Sequence, residues 1–193
     1  MTTRAAPSPT PPAAKPQWGL AWAGLLALAV AGGLAGYAHK TVGRGAGPLF
    51  TLGFSSTIVM KAWLTSIAMV FVIIQLVTAL AMWGRLPGVK AAGNGWSVAH
   101  RWSGTVAFLI SLPVAFTCVY SLGFGTENVR TITHSAAGCL FYGIFAAKML
   151  SLRMKRLPGW TLPVLGGLLV VLLVTIWFTA AFWYFSQPNV PTY

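Results

Sequence analysis

Residues 97–149 read SVAHRWSGTVAFLISLPVAFTCVYSLGFGTENVRTITHSAAGCLFYGIFAAKM. Two apolar runs flank a short polar loop, and their reading decides the fold. Each run is long enough and poor enough in charge to be a membrane helix. Each carries the same small motif near its start: His100 with Gly104, and His134 with Gly138. Residues four apart share one face of an α-helix. A histidine with a bare backbone patch one turn away suits a flat ligand that coordinates the ring and lies against the helix, as haem does. With 21 glycines in the chain, one such match carries little weight. Two matches that use two of only three histidines carry more.

The rest of the chain has the same character. It is 56% hydrophobic and 7% charged, where a soluble domain carries about a quarter charged residues. This places one small domain in a membrane. Thirteen basic residues face a single acid, Glu127, for a net charge of +12. No basic cluster is interleaved with aromatic residues, so nucleic acid is not the expected partner. The charges sit mostly at helix ends, which points to membrane topology and anionic lipid headgroups. Cys118 and Cys139 fall inside apolar runs without a Cys-x-x-Cys pair, so neither zinc nor covalent haem attachment is signalled. They read as small buried hydrophobes.

In chain order, residues 1–17 form a Pro-rich tail (Pro7, Pro9, Pro11, Pro12, Pro16) whose composition predicts disorder. Five spanning helices are expected at about 18–38, 61–83, 97–122, 131–152 and 162–185. The first is too long for a signal-peptide core and is read as a retained helix. Between helices one and two, a Gly-rich link (Gly43, Gly45, Gly47) leads into Pro48–Met60, a re-entrant or interfacial candidate. Pro113 is expected to kink helix three. The sequence Arg-Leu-Pro-Gly follows helix two at residues 85–88 and helix four at 156–159, a faint repeat that relates helix pairs two–three and four–five.

Five spans put the termini on opposite sides. With the N-terminus inside, the inner segments hold Arg4, Lys15, Arg85, Lys90, Lys148, Arg153, Lys155 and Arg156, against Lys40, Arg44, Lys61 and Arg130 outside. The positive-inside rule favours that orientation in a cytoplasmic membrane. Trp18, Trp83, Trp96, Trp160 and Trp183 lie near helix ends, where they anchor in the interfaces.

One carboxylate rules out paired-carboxylate acid–base chemistry and carboxylate-coupled ion transport. No phosphate-binding glycine loop is present. What remains is histidine at membrane depth, a functional-site signal in itself. Neutral imidazole is a common axial ligand of haem b, whose propionates need cations such as Arg101 and Arg130. Depth limits the pairing. His100 lies near the inner end of helix three and His134 near the outer end of helix four, roughly 30 Å apart at ~1.5 Å per residue. His39, at the outer end of helix one, matches His134 in depth, so His39 and His134 form the expected ligand pair. His100 either holds a second haem with a non-histidine partner, Met82 being at a suitable depth, or is a structural or interfacial residue that hydrogen-bonds a carbonyl.

The stretches His100-Arg101-Trp102-Ser103-Gly104 and His134-Ser135-Ala136-Ala137-Gly138 resemble the cytochrome b561-like group of membrane haem proteins. The resemblance covers helices three and four. It implies a small helical bundle in which histidines at helix ends bind b-type haem and pass electrons into or across the membrane. The dihaem members of that group use four histidines on four helices. This chain has three, none of them on helix two or five.

The sequence is therefore read as an all-α integral membrane protein, a bundle of about five transmembrane helices with its N-terminus inside. The expected function is b-type cytochrome-like electron transfer between a quinone pool and a partner redox protein, through one or two haems b. It would serve as an electron-transfer subunit of an oxidoreductase or respiratory complex. The candidate cofactor residues are His39, His100, His134, Gly104, Gly138, Arg101 and Arg130. The rival reading is a cofactor-free accessory subunit of a larger membrane complex.

Overall fold

A long apolar run can satisfy its backbone amides internally only by coiling into a helix. The computed structural model, which describes residues 18–41, 50–89, 93–154 and 157–187, is all-helical over those residues. Helix α1 is Trp18–Thr41, α2 is Thr57–Met82 and α3 is Asn94–Thr117. A π-helical turn, Cys118–Leu122, continues α3. Helix α4 is Val129–Ser151. Helix α5 is Thr161–Trp177, followed by a second π-helical turn, Phe178–Phe182, and the short α6, Trp183–Ser186. Four of these rods are long and apolar enough to cross a membrane: Trp18–Thr41, Thr57–Met82, Asn94–Leu122 and Thr161–Ser186. Helix α4 has the length but more polar residues, among them Arg130, His134 and Lys148.

The expected Pro-rich tail, the Gly-rich link and the basic residues Lys90, Lys155 and Arg156 lie outside the described residues. The stretch before α2 is described only from residue 50. Residues 50–56 turn, with Leu52 and Gly53 at positive φ, and the Ser56 hydroxyl caps α2 by accepting from Val59 N–H. Helix α2 thus starts at Thr57, ahead of the expected start at Lys61, and carries Lys61 on its second turn. Pro113 sits inside α3 without ending it.

Helices α2 and α3 pack against each other, as do α4 and α5. Helix α1 lies against α4, α5 lies against α2, and the π turn after α3 returns to α1. The helices therefore form a closed ring in the order α1, α4, α5, α2, α3. Small side chains make the close contacts. Ala31, Ala38, Ala62, Ala68, Ala137 and Ala147 are buried, while Leu28 is 69% and Val171 61% exposed. Membrane helices pack through small residues in this way and turn their large apolar ones to lipid. At the α1–α4 crossing a side chain on Gly143 would meet the Ala27 carbonyl oxygen. Near the end of α1 the Thr41 hydroxyl reaches Val119 O at 2.7 Å, and Phe124 N–H donates to Ala38 O at 3.1 Å. Both bonds tie α1 to the chain after α3.

Candidate functional site

Where the C-terminal ends of α1, α3 and α5 meet the N-terminal ends of α2 and α4, the ring encloses a cavity of about 380 Å³. That volume is in the range of ligand and cofactor pockets, about 300–1,000 Å³. All five long helices contribute to its wall. Its inner side carries Phe141 and Tyr142. The Tyr142 hydroxyl is 2.8 Å from Ser111 Oγ and 3.1 Å from Ser111 O. Phe108, stacked on Phe145 at 4.3 Å between ring centres, packs against Tyr142 beyond it.

His134 and Gly138 both line this cavity. Helical spacing places them one turn apart on α4, as expected. A Cβ on Gly138 would meet no atom within 4 Å, so the patch beside the histidine is open. His134 Nδ1 lies 3.0 Å from Thr179 Oγ1. That hydroxyl has one hydrogen, which goes to Thr175 O at 2.7 Å, back along its own helix. With that hydrogen turned to Thr175 O, the oxygen can accept from His134 Nδ1–H. A histidine prepared this way, with a neighbour holding the other nitrogen, is oriented for ligation.

His100 is prepared in the same manner. Its Nδ1 is 2.9 Å from Thr78 Oγ1, whose hydrogen goes to Ile74 O at 2.7 Å. The surroundings differ. Gln75 donates to the His100 carbonyl and to Ser103 Oγ at 2.7 Å. The same amide fills the space above Gly104, where a Cβ would meet it at 3.1 Å. His100 does not line the cavity. It lies about 27 Å along the α3 axis from the Cys118 level, at ~1.5 Å per residue.

His39 is at the cavity end of the ring, as its depth predicted, but it is exposed and does not line the cavity. Ala38 takes the inward position. One residue on, the helix has turned about 100° and His39 points away. The structure thus brings His134 and Gly138 to the cavity and leaves His39, His100, Gly104 and Arg101 outside it. Arg130 lines it while being held in place: its Nη1 donates to Thr179 O at 2.7 Å, and its guanidinium lies 3.9 Å from the Trp183 ring centre.

Sequence reasoning did not single out Thr179, and it did not place Lys61, Cys118 or Cys139 at the site, yet all four line the cavity. Cys118 and Thr179 sit in the two π-helical turns. Such turns are rare and cluster at functional sites. The Cys118 thiol faces His134. At the mouth stands Glu127, whose hydrogen bonds, led by its own backbone amide and with the Arg130 charge nearby, hold its carboxyl below the usual carboxylate range. Among the described residues no three His, Cys, Asp or Glu side chains converge as a metal-ion site. A second cavity of about 160 Å³ lies between α1, α4 and α5 and has no ionisable group in its wall.

A family profile matches residues 20–192, nearly all of the described chain. The chain belongs to the family of unknown function DUF6529. No curated protein and no solved structure matches it.

Proposed function

We propose that this protein is a b-type cytochrome-like component of the cytoplasmic membrane that carries electrons between the quinone pool and a partner redox protein. In this reading all five long helices span the bilayer with the N-terminus inside, and the basic inner ends contact anionic headgroups and the partner subunit. Helix α4, at 23 residues, is about 34 Å long, enough for the ~30 Å hydrocarbon core. Of its polar side chains, Arg130, Thr131, His134 and Ser135 line the cavity.

The observation that carries the proposal is the cavity at His134. An imidazole held through Nδ1 by Thr179 and faced by the Cys118 thiol stands beside an open glycine patch inside an apolar ring. The residues fit one haem b. When bound, haem supplies a one-electron iron couple, whose potential burial tunes. His134 holds the ligand and Thr179 fixes its ring. Lys61 and Arg130 offer positive charge for propionates, and the apolar walls exclude water. His100 has a similar threonine partner, but Gln75 occupies its glycine patch. This favours one haem over two.

The test is a reduced-minus-oxidised visible spectrum of detergent-purified protein beside His134→Ala. A sharp b-type α-band that disappears in His134→Ala supports the site. A band that survives the substitution refutes it. A colourless protein, even after expression with added haem, favours the cofactor-free accessory subunit.

A further inference from the structure

We infer that the end of the bundle opposite the His134 cavity holds one phosphate oxyanion on the Lys148 ammonium, beside His100, with the headgroup of an anionic phospholipid as its source. The inference rests on the reading that the helices span a bilayer, and not on haem. Lys148 stands on the inward stripe of α4, where His134, Phe141 and Lys148 recur every seven residues, about two helical turns. His134 lines the cavity, and Phe141 packs in the core with Leu173 and Ile176. His100, Gly104 and Ser111 share one face of α3, and Ser111 lines the cavity. Phe108, stacked on Phe145, lies between the two levels. Beyond that stack Lys148 is half-buried, and its charge acts on His100.

An ammonium drawn out of water needs a counter-charge. The chain has one acidic side chain, Glu127, and it lines the cavity at the other end. Among the described residues neither an opposite charge nor a hydrogen bond offsets the burial of Lys148. The polar groups around His100 are already committed. The Gln75 amide donates to His100 O and Ser103 Oγ, Ser103 Oγ donates to Ala99 O, and Thr78 Oγ1 donates to Ile74 O. Lysine has three donors and no acceptor, so its complement is an anion. Depth selects phosphate. Lys148 lies three residues, about 5 Å, before the end of α4. Exposed Trp83 and Trp160, with exposed Arg85 and Arg153, mark the headgroup level at this end. Helix α3 packs on α2 along its length but on α1 through its π turn, at the cavity end. The seam between α3 and α1 at the opposite end is the way in from the bilayer.

The experiment uses the delipidated full chain in detergent. Native mass spectrometry compares retention of phosphatidylglycerol with that of diacylglycerol, which lacks the phosphate. Thermal unfolding with added inorganic phosphate measures the free anion. The expected result is one phosphatidylglycerol per chain, held more tightly than diacylglycerol. Lys148→Met should weaken that binding about tenfold, the scale of one charge-assisted hydrogen bond. Lys148→Arg should keep it, and Arg153→Gln, which removes an exposed charge at the same end, should leave it unchanged. Stabilisation by inorganic phosphate that Lys148→Met abolishes, with no preference for phosphatidylglycerol, keeps the oxyanion site and makes its source soluble. Wild-type binding by Lys148→Met, equal losses in Lys148→Met and Arg153→Gln, or binding of neither ligand overturns the inference. So does a Lys148→Met chain that melts lower than wild type without lipid, because losing an uncompensated charge should not destabilise the fold. None of these outcomes depends on haem content, so the haem reading stands or falls separately.

Discussion

At the residue scale, the two His-x-x-x-Gly motifs are equivalent in sequence and unequal in space. Both histidines set Nδ1 against the hydroxyl of a threonine that is bonded back along its helix. The difference is what lies over each glycine: the Gln75 amide over Gly104, and open space over Gly138. Gly138→Leu should therefore fill the cavity and abolish haem binding. Fold stability should stay within about 0.5 kcal/mol, as for a substitution into free space, and paired haem-content and thermal-unfolding measurements check this. Thr179→Val should keep the fold but lower haem affinity about 10–100-fold, the usual cost of losing a group that orients a metal-bound histidine. Haem titration of the apoprotein measures it, and wild-type affinity would remove Thr179 from the site.

Elements were legible in proportion to how little their reading depended on partners. The uncharged runs gave four helices within a few residues, because the bilayer length and backbone satisfaction leave one solution. Helix phase was not legible. Nothing in the sequence distinguishes inward Ala38 from outward His39, since that depends on where α1 meets its neighbours. The two π turns that bring Cys118 and Thr179 to the cavity were equally hidden, because their residues also suit an α-helix. Gly143 was one glycine among many, although it sets the α1–α4 crossing. Gly143→Leu should destabilise the bundle by about 1–3 kcal/mol through overpacking, read as a lowered unfolding midpoint in detergent. Thr41→Val removes a bond between α1 and the π turn. It should cost about 0.6 kcal/mol, the average for interhelical bonds in membrane bundles. The α4 entry has a pH dependence of known sign. Glu127 has a depressed folded pKa, so its contribution is present above its unfolded pKa and fades as pH falls through the folded one. Hydrogen exchange around Asn128 should rise in acid, and Glu127→Gln should remove that dependence.

For the whole molecule, the ring of five long helices gathers one end of each around the larger, mostly apolar cavity and turns large apolar side chains outward. A cavity fed by every helix is a property of the closed ring, which no local pattern announces. The proposed orientation rests on charge: reporters fused to the N-terminus should be active inside, and reporters fused after α5 active outside. Haem stoichiometry tests the central claim most directly. A pyridine haemochrome assay on the purified full chain should give about one haem b per chain. No haem after expression with haem supplied would contradict the account, and two per chain would contradict the distinction drawn between His134 and His100.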